Sequence, residues 1–165
     1  MIIYNSLNIM LLVIHPKELN IDYVNFLETR KNILMEGTFT KIIYSNCDIV
    51  INGIYLRIPF NDYGYDKSHS RIILKDNKIN RECINTISKY EHYILSYFKH
   101  INSCEKKQRC LLKDQLSSMT FKVYRENYNS NAINNCDILL KISGIWEDDT
   151  DYGLTYKIME TFPYN

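Results

Sequence analysis

Residues 137–159, DILLKISGIWEDDTDYGLTYKIM, contain two stretches with the composition of β-strands on either side of an acidic turn. Residues 137–147 and 152–159 are rich in Ile, Leu, Tyr and Thr, whereas the Asp-Asp-Thr-Asp segment between them is typical of a turn. Gly144 lies within the first stretch, where it indicates either a β-bulge or the boundary of a loop. We therefore predict two long strands joined by this turn.

Residues 54–60 (IYLRIPF) predict another strand, because apolar and other side chains alternate strictly. The even-numbered side chains are expected to face the core, and Tyr55, Arg57 and Pro59 to face the other way. The preceding Asn52-Gly53 indicates a hairpin turn or, equally, one long bulged strand through Gly53. Other segments also show strand patterns: residues 7–14, 38–45, 48–51, 71–75 and 119–124.

Residues 80–98 predict the clearest helix of the chain. Their apolar side chains recur every three or four residues, and Asn80 is a plausible N-cap. A second helix is predicted over residues 105–117. Residues 17–36 read as helical or irregular, and residues 61–71 as a turn-rich loop.

The order of these elements predicts a β-rich α+β fold, built as one domain of 165 residues. Three strands, a helix and further strands are the order of an OB-type five-stranded Greek-key barrel, whose helix lies between strands 3 and 4. Residues 1–36 would then be an N-terminal extension of an OB-like core at 38–160. The alternative is an α+β sheet with two helices packed on one face.

The charges of the chain are unevenly distributed, although the net charge is only +1. Residues 67–125 contain 13 Lys and Arg against 5 Asp and Glu, and the remaining residues contain 7 against 14. A basic segment suits a polyanionic partner if the fold gathers its charge on one face, and is otherwise a solvated helix face.

Basic and aromatic side chains alternate with apolar ones along several of the predicted strands. Unpaired bases stack on aromatic rings, and phosphates need Lys or Arg, so this pattern indicates a surface for single-stranded nucleic acid. Within residues 61–71, Tyr63, Tyr65, Lys67, His69 and Arg71 recur at every second position, so an extended loop would line them along one side and clamp a strand. A solvent-exposed loop is the other interpretation of this segment, and packing at the core or rim is the other interpretation of Trp146. The candidate contacts are Tyr55, Arg57, Tyr63, Tyr65, Lys67, Arg71, Lys122, Tyr124, Lys141, Trp146 and Lys157.

Enzymatic function is not predicted. The sequence has no phosphate-binding loop, nucleophile elbow, His-Glu-x-x-His or dinucleotide fingerprint, so we expect no cofactor. The carboxylates of residues 147–151 diverge around a turn, which argues against a metal-dependent nuclease. His100, Cys104 and Cys110 lack a fourth zinc ligand at a usual spacing. Five cysteines without a Cys-x-x-Cys pair, and no apolar run of membrane length, predict a reducing, cytoplasmic compartment, with the nucleus as the alternative.

Two segments carry a family resemblance, LLKISGIWE at 139–147 followed by YGLTYK at 152–157, and NGIYLRIPF at 52–60 with YEHYIL at 90–95. They resemble small single-stranded DNA-binding proteins of large cytoplasmic DNA viruses and of yeast cytoplasmic linear plasmids. The resemblance implies an OB-type fold, strand coating during replication, and oligomeric binding alongside replication proteins. By position it implies that Lys141, Trp146, Tyr156 and Lys157 lie at or near the binding face.

We therefore predict a non-catalytic, sequence-tolerant single-stranded DNA-binding protein that acts in replication of a virus or autonomous element. RNA is the alternative nucleic acid. The runner-up is a protein–protein interaction module that uses the same Tyr-rich surface, because Tyr serves protein interfaces as readily as bases.

Overall fold

The structure is a computed structural model that describes residues 2–4, 10–33, 35–66, 68–125 and 137–161. The described residues form two α-helices, α1 (Lys78–Asn102) and α2 (Leu111–Ser117). Their strands, in chain order, are β1 (Ile2–Tyr4), β2 (Met10–Leu12), β3 (Val24–Lys31), β4 (Thr38–Ser45), β5 (Val50–Asn52), β6 (Ile54–Ile58), β7 (Tyr63–Asp66), β8 (Arg71–Leu74), β9 (Lys107–Arg109), β10 (Thr120–Lys122), β11 (Tyr124–Arg125), β12 (Asp137–Glu147) and β13 (Asp151–Thr161).

Eight of these strands form the main sheet, in which β12 is central. One edge of β12 pairs antiparallel with β13; the other pairs with β6 through residues 138–142 and with β4 through residues 144–147. The β12–β13 register shifts between Ile142 and Gly144, which confirms the bulge reading of Gly144. A Cβ at Gly144 would lie 2.5 Å from the carbonyl oxygen of Thr40, so the close approach of β4 requires glycine here.

Gly53 marks a change of partner strand. Strand β5 pairs with β4, whereas β6 pairs with β12, so residues 50–58 are neither a two-strand hairpin nor one strand in a single ladder. Gly53 has a φ of +80°, and a Cβ there would lie 2.6 Å from the carbonyl oxygen of Ile142. The backbone conformation and the contact with β12 both favour glycine.

The alternation predicted for residues 54–60 is confirmed. Ile54, Leu56 and Ile58 are buried in the core, and Tyr55 and Arg57 point to the opposite face. Strand β12 follows the same rule before its bulge, since Ile138, Leu140 and Ile142 lie opposite these residues in the ladder and are also buried. The two strands therefore present matched apolar rows to one side of the main sheet.

Helix α1 covers that apolar side. Its buried residues include Ile84, Ile87, Ile94 and Phe98, as the spacing predicted. The predicted N-cap is wrong by about one turn, because Asn77 caps the helix and accepts a hydrogen bond from the backbone N–H of Asn80 at 2.8 Å.

Asn80 itself lies buried in the first turn of α1. Its side-chain amide donates to the carbonyl oxygens of Asn61 and Lys75, at 2.6 and 2.9 Å. Its side-chain oxygen accepts from the backbone N–H of Asn61 at 2.8 Å. Asn80 therefore ties the start of α1 to the chain segments before β7 and after β8, two strands of the small sheet formed by β7, β8 and β10.

Helix α2 is shorter than predicted, because the first part of the segment 105–117 forms β9, which runs parallel to β13. The start of α2 is capped by a side chain from α1. The Glu91 carboxylate, which has no exposed surface, accepts hydrogen bonds from the backbone N–H groups of Leu112 and Lys113 at 3.0 and 2.8 Å. This contact satisfies two N–H groups that a helix terminus leaves without intrahelical partners.

Two segment predictions are wrong. Residues 17–36 form 3₁₀ turns at Pro16–Glu18 and Ile21–Tyr23 and then β3, which pairs with β4 at the edge of the main sheet. Most of β3 is exposed on both faces, so it lacks the alternation that identifies a half-buried strand. Residues 61–71 contain β7 and the start of β8, which form a hairpin rather than a loop.

The protein is a β-rich α+β domain with mixed sheets. The described strands do not close into the five-stranded barrel that we expected; instead, α1 and α2 pack on one face of the main sheet. Rings of Phe98 and Tyr152 lie 5.9 Å apart, and the Tyr156 hydroxyl donates to Gln115 at 2.7 Å. Neither described helix is long and apolar enough to cross a membrane.

Candidate nucleic-acid interface

The outer face of the main sheet is the face that points away from α1 and α2. Along β13, Tyr152, Leu154 and Tyr156 point toward the helices, so Thr155 and Lys157 point outward. Residues paired directly across neighbouring strands share a face. The cross-strand register therefore identifies which of the candidate contacts lie on the outer face.

A cluster of lysines and tyrosines lies at the centre of this face. Lys141 on β12 is paired with Tyr55 on one side and with Lys157 on the other. Tyr124 on β11 follows next, paired with Met159. We call the following five residues the lysine–tyrosine cluster: Tyr55, Lys122, Tyr124, Lys141 and Lys157.

The ammonium groups of this cluster lie over its aromatic rings. The Nζ atom of Lys141 is 5.2 Å from the ring centroid of Tyr55. The Nζ atoms of Lys157 and Lys122 are 4.7 and 5.5 Å from the ring centroid of Tyr124. Such contacts are worth about 0.5–1 kcal/mol at exposed sites. They hold positive charge next to ring surfaces, which is the chemistry that single-stranded nucleic acid requires.

No carboxylate in the described part of the chain neutralises the lysines of the cluster. Lys141 and Lys157 are cross-strand neighbours of like charge, an arrangement that destabilises a sheet. Among the described residues, neither forms an ion pair with a carboxylate, and the same holds for Lys122. A polyanion bound across the strands would relieve this repulsion.

A patch of apolar side chains lies beside the cluster on the outer face. Leu139 is on the outer face, yet it is fully buried, because Val13, Tyr55 and Met159 pack around it. Backbone hydrogen bonds hold this arrangement, since Ile14 donates to the carbonyl oxygen of Tyr55 at 2.8 Å. The ring of Tyr55 is therefore positioned by packing on one side and by Lys141 on the other.

Arg57 is two residues after Tyr55 on β6, so it lies beside the cluster on the outer face. It donates a hydrogen bond to Asp137 at 2.5 Å, so much of its charge is offset by a carboxylate. The pair borders a surface cavity of about 350 Å³ that His15, Phe60 and Tyr63 also line. Arg57 thus lies near the outer-face cluster but is engaged in a structural ion pair.

Trp146 is on the outer face at the far end of β12. It is paired with Phe39 on β4 and with Gly153 on β13. Its ring lies over Gly153, where a Cβ would be 2.9 Å from Cζ2 of the indole. Trp146 is partly exposed, so it belongs to the surface of the outer face rather than to the core between sheet and helices.

Arg71 borders the cluster, because it is the cross-strand neighbour of Lys122 in the small sheet, and the remaining described candidates are not brought to this surface. Tyr63 and Tyr65 are paired with Leu74 and Ile72 and pack against the core, while Arg71 points to the other side of the hairpin. Tyr156 faces the helices and donates to Gln115. Burial raises the pKa of its hydroxyl to about 12. Lys67 lies outside the described residues.

Arg71 has Lys122 as its cross-strand neighbour in the small sheet, so the two share a face. The opposite side of the hairpin carries the tyrosines, which means that Tyr63, Tyr65 and Arg71 do not line one side of a loop. The expectation of a clamp formed by alternate residues is therefore wrong. The loop tip is instead held by Asp66, which accepts hydrogen bonds from Ser68 and lies 2.8 Å from His69 Nδ1.

The basic segment of the sequence is divided between the two sides of the molecule. Several of its cations form ion pairs near α1: Lys75 with Asp62, Lys78 with Glu82, and Arg81 with Asp76. Lys141 and Lys157 come instead from the net-acidic remainder of the chain. The fold, rather than the charge of any segment, assembles the cationic surface.

The acidic turn between β12 and β13 has a structural role. Asp148 accepts hydrogen bonds from the backbone N–H groups of Thr150 and Asp151, at 2.9 and 2.7 Å, and these bonds lower the pKa of its carboxyl. Glu147 pairs with Lys106 at 3.3 Å. No three His, Cys, Asp or Glu side chains in the described ranges are arranged to hold a metal ion.

The candidate zinc residues have other contacts. Cys104 donates from Sγ to Glu147 at 3.7 Å, and Cys110 Sγ accepts from the amide of Gln108 at 3.3 Å. His100 is exposed near the end of α1. These contacts explain the two cysteines as parts of the packed structure.

Sequence reasoning missed four residues of the outer face: Arg30, Phe39, Lys41 and Arg109. Phe39 and Lys41 alternate with the buried Thr40 and Ile42 in β4. Assigning the residues of segment 38–45 to the two faces of a strand would have placed Phe39 and Lys41 on the outer face. Arg109 was expected in a helix, and Arg30 in a segment predicted to be helical or irregular. Comparison of the chain with protein-family models, with curated proteins and with solved structures finds no match.

Proposed function

We propose that the protein binds single-stranded nucleic acid, without sequence preference, on the outer face of the main sheet. The observation that carries this proposal is the lysine–tyrosine cluster, in which three ammonium groups lie over two aromatic rings on a face that no described helix covers. Binding of this kind makes and breaks no covalent bond, so the proposal assigns no catalytic residue.

The chemistry of the cluster supports a single strand over a duplex. Lysines without carboxylate partners attract phosphates, and the ring of Tyr124, with 47% of its surface exposed, is available to an unpaired base. Bases in a duplex are stacked on one another and do not present their faces to a protein surface. Stacking accepts every base, so the expected binding is sequence-tolerant.

The biological setting is part of the same proposal and rests on the family resemblance. We propose that the preferred ligand is DNA, that the protein coats template strands during replication of a virus or autonomous element, and that it acts in the cytoplasm, as an oligomer and beside replication proteins. The proposed binding does not depend on a closed OB-type barrel, because four residues of the cluster lie on the main sheet and Lys122 reaches the ring of Tyr124 from the small sheet.

The test is the binding of a fluorescently labelled oligothymidine, measured by anisotropy at several salt concentrations. The variant Lys141→Gln/Lys157→Gln is compared with Lys89→Gln/Lys99→Gln, which removes the same charge from exposed positions of α1. The cluster variant is expected to lose at least about tenfold in affinity, and to lower the salt slope by about 1.4, since each contact with a single strand contributes about 0.7. Equal losses in both variants would contradict the assignment to the outer face.

The interaction-module hypothesis uses the same surface, because the partly exposed rings of Tyr55 and Tyr124 suit a protein partner as well as a base. Salt separates the two functions. Phosphate binding must weaken linearly in the logarithm of salt concentration as counterions are released, whereas a Tyr-dominated protein interface need not. Absence of oligothymidine binding at low salt would favour the interaction module.

A further inference from the structure

Two aromatic rings extend over glycines of neighbouring strands on the outer face, at the end of the main sheet away from the lysine–tyrosine cluster. Phe39 on β4 leans over Gly144 on β12, where a Cβ would be 2.6 Å from Cε2 of the Phe39 ring. Trp146 on β12 leans in the same direction over Gly153 on β13. Each ring therefore occupies the space that a side chain at the neighbouring glycine would fill.

Both side chains remain accessible at the surface. Phe39 and Trp146 are each partly exposed and lie on the face opposite the helices. They are direct cross-strand partners.

Cations surround the two rings. Arg30 on β3 is paired with Phe39, Lys41 with Gly144, and Arg109 on β9 with Gly153. All three are exposed, and in the described part of the chain none forms an ion pair.

The nearest carboxylates along β12 are engaged elsewhere. Glu147 pairs with Lys106, and Asp148 accepts the backbone hydrogen bonds of the acidic turn. Cations on three neighbouring strands therefore flank the rings, in addition to the separate lysine–tyrosine cluster, and the outer-face carboxylate Asp151 on β13 is paired in the register with Lys107 on β9.

We propose that Phe39 and Trp146 form a stacking platform for two unpaired bases of a single-stranded nucleic acid, with Arg30, Lys41 and Arg109 holding its phosphates. The inference rests on the proposed function and extends it, because it adds a second contact region on the same face. Flat aromatic side chains on a sheet are a general means of receiving unpaired bases, and the flanking cations make a polyanion the complementary ligand.

The platform is tested first in the unmodified protein, because Trp146 is the only tryptophan. Emission of Trp146 is followed during titration with oligothymidine and with an abasic oligonucleotide of equal length and charge. Oligothymidine is expected to quench the emission, and the abasic strand to bind more weakly and leave the emission unchanged. Equal emission changes with both strands, or no change with either, would overturn the platform.

The matched variants are Phe39→Leu on the platform and Tyr93→Leu on the outward side of α1, where Tyr93 is 55% exposed. Leucine keeps apolar cover over Gly144 but removes the ring face. Phe39→Leu is expected to weaken oligothymidine binding by about 5- to 150-fold, the range that loss of one stacked base produces, and Tyr93→Leu to leave it unchanged.

The outcomes separate the two proposals. Unchanged affinity in Phe39→Leu, together with a loss in Lys141→Gln/Lys157→Gln, would overturn the platform and leave the proposed function in place. Absence of oligothymidine binding by the unmodified protein at low salt would overturn both. If Phe39→Leu does not fold, as judged by circular dichroism, the comparison of oligothymidine with the abasic strand decides the question.

Discussion

The two sides of the sheet at β13 give tyrosines very different surroundings. Toward the helices, Tyr152 and Tyr156 are held by packing and by hydrogen bonds, with the Tyr156 hydroxyl donating to Gln115 at 2.7 Å. On the outer face, Lys157 lies over the ring of the exposed Tyr124. The role of a tyrosine in this protein therefore depends on the face of the sheet to which it points. Tyrosines that point toward the helices are structural, and tyrosines on the outer face are candidate contacts.

The largest expected effect comes from introducing a lysine at one of two adjacent positions of β13, one on each face. Leu154→Lys puts an ammonium group into the core between sheet and helices, so the free energy of unfolding is expected to fall by about 4 kcal/mol or more. Thr155→Lys puts the same group on the outer face, where the expected change is within about 0.5 kcal/mol. Urea unfolding measures both variants.

Thr155→Lys also adds a cation to the outer face, so it is expected to tighten oligothymidine binding. Similar stability losses in Leu154→Lys and Thr155→Lys would show that the two faces are not distinct.

A second variant tests the helix side alone. Glu91→Gln replaces one carboxylate oxygen by an amide NH₂, which then faces a backbone N–H of Leu112 or Lys113. Leaving a buried donor without an acceptor is expected to cost about 1–3 kcal/mol of unfolding free energy, measured by urea unfolding. Oligothymidine affinity should not change, because Glu91 lies on the helix side of the sheet. A loss of affinity without loss of stability would contradict this account.

A third variant tests the helix side at alkaline pH. Burial raises the pKa of Tyr152 and of Tyr156 to about 12, from an ordinary value of 10. Their neutral forms are favoured in the folded state, so their contribution is fully present below pH 10 and is lost as the pH rises from 10 to 12. Tyr152→Phe/Tyr156→Phe should lose less stability than the unmodified protein over this interval, measured by urea unfolding at pH 9 and pH 11. Identical losses would contradict the assignment.

The alternation of side chains between the two faces of a strand explains much of what the sequence predicted correctly. Strand β6 was recognised because its apolar and polar residues alternate, and the β12–β13 hairpin because strand-forming residues flank an acidic turn. Placing basic and aromatic residues on the polar faces of the strands identified Tyr55, Lys141 and Lys157. The alternation could also have excluded Tyr156, since adjacent residues in a strand point to opposite faces. Including both Tyr156 and Lys157 followed the family resemblance rather than the geometry of a strand.

The other errors arose where pairing with another strand of the chain decides the structure. Strand β3 lies at a sheet edge and is mostly exposed, so its residues carry no alternating pattern. Tyr63 and Tyr65 look like exposed loop residues until their pairing with Leu74 and Ile72 turns them toward the core. The platform at Phe39 depends on glycines in neighbouring strands, more than a hundred residues away in the chain. Such contacts between distant segments are not visible in local sequence.

The central claim, that nucleic acid binds the outer face, is tested most directly by lysine footprinting. The protein is treated with a limiting amount of an acylating reagent, with and without saturating oligothymidine, and each lysine is quantified by mass spectrometry. The account predicts protection of Lys122, Lys141 and Lys157, and unchanged acylation of Lys89 and Lys99 on α1. Protection of the α1 lysines with none at the lysine–tyrosine cluster would contradict it.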